Sequence, residues 1–171
     1  VPASKGDIRV IDGKQGVNRR EPAWSPDGKT IAFITDAEGN QKLAIYDVAT
    51  KKESHYPLAD GSGFYRNLVC SQDSKKIAYG TEKLTLNVFD LATSRSTLVD
   101  KQTFRGRSEI DPRWSPDSKW ITWSRDLDNL YNAVFLYSLE SGKVTQITDG
   151  IADATSPIFD RDGKHLYFLA S

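Results

Sequence analysis

Two histidines and a scatter of serines are the side chains here that could carry nucleophilic chemistry. His55 stands beside Tyr56 and Pro57, and His165 lies in the last segment of the chain. A hydrolytic triad needs a serine, a histidine base and an orienting acid brought together in space, and geometry rather than spacing identifies it. No Gly-x-Ser-x-Gly elbow marks a nucleophile. Ser25 and Ser115 each precede a proline, in Trp24-Ser25-Pro26-Asp27-Gly28 and Trp114-Ser115-Pro116-Asp117. A serine two residues before an aspartate in such a stretch more simply hydrogen-bonds its own turn. Both histidines are therefore expected to be structural or surface groups, and both serines turn residues.

The charged groups offer two further chemistries. Asp126-Leu127-Asp128-Asn129 has the look of a calcium loop, but nothing flanking it completes a ligand set, and Asp149 with Asp153 adds no pattern. A solvated acidic loop is the simpler reading. Arg19-Arg20 and Arg105-Gly106-Arg107 precede two of the apolar runs described below. Arginine at such places could hold a peptide carboxylate through two parallel hydrogen bonds. The competing reading is that these arginines balance nearby Asp and Glu on the surface. No residue pattern calls for a cofactor, and the single Cys70 permits neither an internal disulfide nor a thiolate metal site.

Bulk composition narrows the partners. The chain has 171 residues, with 23 Lys plus Arg against 23 Asp plus Glu. Zero net charge argues against nucleic acid or an anionic membrane surface, both of which select an excess of basic groups. At 38% hydrophobic and 11% aromatic residues the chain can bury a core. No apolar run approaches the roughly 20 residues of a membrane-spanning helix, so a soluble chain is expected. It begins at Val1 without a signal-like segment and stops at Ser171 straight after an apolar run, which reads as a piece of a longer protein. Either a periplasmic or a cytoplasmic setting in a prokaryote suits a single cysteine.

The elements that position these residues are repeated. Four copies of one phrase occur: EPAWSPDGKTIAFIT, RNLVCSQDSKKIAYGT, DPRWSPDSKWITWSR and SPIFDRDGKHLYFLA. Their turn aspartates Asp27, Asp73, Asp117 and Asp162 are 46, 44 and 45 residues apart. Pro26, Asp27 and Gly28 suit a tight hairpin, as Gly163 does after Asp162, whereas Ser74 and Ser118 replace the glycine and predict less relaxed turns. After each turn come runs such as Ile31-Ala32-Phe33-Ile34 and Trp120-Ile121-Thr122-Trp123, continuous enough for strands packed on both faces. Large apolar groups recur at one repeat position, Trp24, Cys70, Trp114 and Phe159, and are expected to pack between repeats rather than stack on a ligand.

Four short strands per period of about 45 residues is the pattern of a β-propeller blade. The fold class is all-β, with blades expected at residues 21–58, 66–100 and 110–149 and the first half of another at 155–171. Residues 7–12 read as the outer strand of a preceding blade. Three and a half to four blades make an arc that exposes apolar faces and strand edges, so two arcs could associate.

The phrases AWSPDGKTIAF and RWSPDSKWITW resemble the propeller repeat of TolB, tricorn protease and prolyl-oligopeptidase relatives. Together with VPASKGDIR, GVNRREPAWSPDGK, LNVFDLATS, FLYSLESGKVTQITDG and SPIFDRDGKHLYFLAS, in order over nearly the whole chain, they resemble a propeller of tricorn-like proteases, the second and larger one. The resemblance implies a scaffold or peptide-access domain of a large serine peptidase, with the Ser and His of catalysis outside this segment. Its partners would be peptides, protein partners or the remainder of the protease. A stand-alone TolB-like binding module and the propeller cap of a prolyl-oligopeptidase-type enzyme are the competing expectations.

Overall fold

The computed structural model describes Ile11 and residues 15–59, 63–102 and 110–171. The first sheet runs β1 (Arg19–Trp24), β2 (Thr30–Glu38), β3 (Asn40–Asp47) and β4 (Glu53–Tyr56), in that spatial order. The second repeats it with β5 (Tyr65–Cys70), β6 (Lys76–Thr81), β7 (Thr85–Asp90) and β8 (Arg95–Lys101). The third has β9 (Arg113–Trp114), β10 (Trp120–Asp126), β11 (Asn132–Ser138) and β12 (Val144–Gln146). A hairpin of β13 (Ala154–Phe159) and β14 (Leu166–Ala170) ends the chain. Every pairing is antiparallel, and no helix occurs among the described residues. Neighbouring first strands touch (β1 with β5, β5 with β9, β9 with β13), so the blades converge on their first strands.

The repeated turn explains the hairpins. The Gly28 amide donates to the Ser25 carbonyl at 2.9 Å, and Gly28 takes a φ of 70°. A tight turn closed by a left-handed residue is a common three-residue hairpin loop. Ser74 and Ser118 hold the same place at φ 59° and 61°. A side chain there costs about 1 kcal/mol, a strain that Gly28 and Gly163 avoid in the other two turns. Within each of the first three turns the serine hydroxyl donates to the aspartate two residues on. Those contacts are Ser25 to Asp27 at 2.7 Å, Ser71 to Asp73 at 2.6 Å and Ser115 to Asp117 at 2.6 Å. The fourth turn departs from the pattern. There Asp160 stands where the others have serine, and its Oδ1 takes the amides of Lys164 and His165 at 2.8 and 3.2 Å. Asp160 rather than Asp162 thus braces that hairpin.

Cores form between blades. Ala32, Ile34 and Leu43 of the first blade pack on Tyr65, Ile77, Tyr79 and Phe89 of the second. Ala78, Leu86 and Val88 leave the opposite face of the second blade to meet Trp114, Ile121, Trp123 and Phe135 of the third. Middle strands are therefore buried on both faces, which is why their sequences are continuously apolar. First strands carry a bulge between Arg20 and Ala23, Arg66 and Val69, and Thr155 and Ile158. Each bulge holds a left-handed residue, Glu21, Asn67 or Ser156. β9 comprises Arg113–Trp114 among the described residues, and Pro112 holds the repeat position that Pro22 holds in β1 and Pro157 in β13.

Candidate functional site

The two histidines are engaged by carboxylates. His55 Nδ1 lies 2.6 Å from Glu38 and its Nε2 lies 2.5 Å from Glu53. Hydrogen bonding to Glu53 chiefly, then to Glu38, raises the His55 pKa against the opposing effect of burial. Burial works against the charge on Glu53, but the bonds from His55 and Arg19 lower its pKa all the same. His165 Nδ1 lies 2.8 Å from Asp160. Ser25 and Ser115 are buried and spend their hydroxyls on their own turns, accepting the amides of Thr30 and Trp120 at 2.9 Å each. These histidines and serines stand as turn and surface-network groups.

Arg19 and Arg20 are tied inward. Arg19 pairs with Glu53 at 3.1 Å and lies over the Phe33 ring, while Arg20 donates to Gln41 and to the Gly63 carbonyl and lies over Phe64. Both guanidiniums serve the first blade and its link to the second. Their partners come from 34, 21 and 43 residues away, which no local motif announces. Arg105 and Arg107 lie outside the described residues. No group of three or more His, Cys, Asp or Glu able to hold a metal occurs among the described residues. Burial pushes the Cys70 thiol up to about 11, so it is no ready nucleophile at neutral pH.

Trp24 and Trp114 share a repeat position but not an environment. Trp114 is 6% exposed, and its Nε1 donates to the Val69 carbonyl of the preceding blade at 2.9 Å. Trp24 is 59% exposed. The expectation that both pack between blades holds for Trp114 and fails for Trp24, because no described blade lies on its outer side. At the other end Ile158, Tyr167 and Leu169 are exposed at the repeat positions that Val69, Ala78 and Gly80 fill against the third blade. Along the inner strands a cleft of about 460 Å³ opens beside Asp111, Arg113, Ser124 and Thr155. Arg113 in it is paired with Asp111 at 2.6 Å.

Sequential four-stranded sheets that converge on their first strands, followed by a two-stranded hairpin, define an arc of a β-propeller. The chain belongs to the family of the tricorn protease second beta propeller domain, which it matches over residues 1–171. It is 30% identical over 166 residues to a tricorn-like protease C-terminal subunit of Sulfurisphaera tokodaii, covering 97% of this chain and 18% of that protein. The crystal structure of the tricorn protease superposes with a TM-score of 0.77 at 22% identity, over 89% of this chain and 15% of that one. TolB from Acinetobacter baumannii gives 0.62 at 19% identity, over 88% of this chain and 37% of that one. The chain thus spans less than a fifth of the tricorn-type proteins it matches.

Proposed function

We propose that this chain is a non-catalytic arc of a propeller in a tricorn-like serine peptidase, a scaffold past which peptides reach or leave chemistry performed elsewhere. The engagement of its histidines carries this reading. His55 has both ring nitrogens on Glu38 and Glu53, and His165 has its Nδ1 on Asp160. No serine hydroxyl is hydrogen-bonded to either ring among the described residues, and Ser25 and Ser115 are committed to turns. Activating a serine requires a base with a free nitrogen within hydrogen-bond reach of the hydroxyl. The match to the tricorn protease second beta propeller domain over residues 1–171 supports the scaffold role. Treating the purified chain with a serine-reactive fluorophosphonate and a panel of fluorogenic peptides tests the proposal. No labelling and no hydrolysis is the expected result; stoichiometric labelling with cleavage overturns it.

A second reading is a propeller that binds protein partners through one face without serving a peptidase; TolB shares the fold with this chain. The two diverge in what the chain recognises: short peptides in the first case, a folded partner in the second.

A further inference from the structure

Two loops of the third blade are fastened together on one end of the propeller arc. One joins β10 to β11 through Leu127, Asp128, Asn129, Leu130 and Tyr131; the other, residues 147–153, joins β12 to β13. Asn129 Nδ2 donates to the Gly150 carbonyl at 2.9 Å, and the Asn132 amide donates to Asp153 Oδ1 at 2.8 Å. Gly150 has a φ of 76°, and a Cβ built on it would stand 2.3 Å from Leu127 Cδ1. A side chain at residue 150 would have to displace the end of the Leu127 side chain.

The fastened pair presents apolar side chains that the described residues leave exposed. Leu130 is 65% exposed and Ile151 76% exposed, with Tyr131 and Ile147 also exposed. Leu130 adopts a φ of 71° in a hairpin turn whose counterpart in the first blade has Gly39 at 92°. The second blade has Leu84 at 57° in the same turn, so the left-handed leucine belongs to the repeat; what sets Leu130 apart is its exposure, where Leu84 is half-buried. The charges on these loops have one sign. Asp128, Asp149 and Asp153 are their ionisable groups, and neither loop contains Lys or Arg. An apolar patch with an acidic rim complements a cation flanked by an apolar side chain.

We infer that this surface docks an extended peptide segment with leucine-like side chains beside Lys, Arg or a free α-amino group. The inference rests on the peptide-handling role proposed above and names the peptide chemistry that role would favour. Apolar contacts at Leu130 and Ile151 supply the anchor, while Asp128 and Asp149 draw in the cationic neighbours and reject acidic ones.

Fluorescence anisotropy of the full chain with dansyl-labelled hexapeptides tests this, one alternating Leu with Arg and one alternating Leu with Glu. The Arg peptide should bind at least tenfold tighter, and the difference should shrink in high salt. Asp128→Lys with Asp149→Lys, and separately Ile151→Ser, should each weaken it at least fivefold without moving the melting temperature. Leu130→Gly supplies a readout that a structural role cannot mimic: it should raise the melting temperature by relieving the backbone while weakening the peptide. Arg-peptide binding indifferent to all of these substitutions overturns the assignment of this surface and leaves peptide passage standing. Failure of both peptides to bind anywhere on the chain overturns the surface and the peptide-handling role together.

Discussion

The Asp73 backbone amide donates to Ser118 Oγ at 2.9 Å, across the boundary between the second and third blades. Asp27 and Ser74 repeat the contact one blade earlier at 3.3 Å. The serine that replaces glycine at the left-handed turn position is thus the acceptor for the turn of the preceding blade. At the boundary with the last hairpin the position is Gly163, where a Cβ would lie 3.4 Å from Pro116 Cδ. The first three blades are clasped by hydroxyls, whereas at the last boundary a Cβ on residue 163 would meet Pro116 at ordinary van der Waals distance.

This arrangement separates two substitutions at one site. Ser118→Ala loses the acceptor and keeps the backbone strain, costing about 1–2 kcal/mol through the unpaired Asp73 amide. Ser118→Gly loses the same bond but recovers about 1 kcal/mol of strain. Urea unfolding should therefore rank wild type first, Gly second and Ala last. Equal midpoints for Ala and Gly would contradict the clasp.

The tryptophan pair gives a second contrast. Trp114→Phe removes the donor to the Val69 carbonyl and loosens a buried contact, costing about 1–2 kcal/mol. Trp24→Phe, on an exposed face, should move thermal stability by less than about 0.5 kcal/mol. Equal losses from the two substitutions would show Trp24 to be packed.

Asp100 links blades through its side chain. Its Oδ2 accepts from Arg125 Nε at 2.8 Å and from Trp123 Nε1 at 3.2 Å, and Arg125 lies 4.0 Å over the Phe135 ring. Asp100→Ala strands two largely buried donors and should cost about 2–3 kcal/mol. Asp100→Asn keeps an acceptor and should lose about half as much. Denaturant midpoints that leave Ala indistinguishable from wild type would remove this seam from the stabilising contacts.

The His55 cluster sets a pH dependence. A raised folded-state pKa means the His55 contribution is fully present below its ordinary value of 6.5 and is lost as pH rises through the folded value. Glu38 and Glu53 have lowered values, so their contribution is present above the ordinary 4.5 and is lost as pH falls through their folded values. The cluster therefore stabilises most between about pH 4.5 and 6.5. Replacing His55 by Gln should lower stability at pH 5.5–6 and matter far less at pH 9. An NMR titration placing His55 at or below 6.5 would refute it.

What the sequence disclosed follows from distance along the chain. The Ser-Pro-Asp-Gly turn is legible because its contacts close within five residues, as Ser25, Asp27 and Thr30 do. The continuous apolar runs disclose strands buried on both faces. Arg19 and Arg20 were not legible as internal ligands, because Glu53, Gln41 and the Gly63 carbonyl arrive only once the blade is assembled. Trp24 was read by analogy with Trp114, and the analogy held for the repeat position but not for the environment. The bulges at Glu21, Asn67 and Ser156 had only one hint, an asparagine suited to the left-handed region. Of the paired loops of the third blade, only Leu130 repeats a neighbouring copy, matching Leu84; the residues that fasten the loops, Asn129 and Gly150, have no such counterpart in sequence.

The proposed scaffold role implies that the residues exposed at the two ends of this arc, Trp24 at one and Ile158 at the other, can pack against a further blade. Sedimentation velocity over a range of concentrations tests it on the wild-type chain, Trp24→Glu and Ile158→Glu. The account predicts concentration-dependent association of the wild type and its loss in each variant. It also predicts recovery when the two variants are mixed, because each then supplies the face the other lacks. A monomer at every concentration, or association untouched by both substitutions, would contradict it.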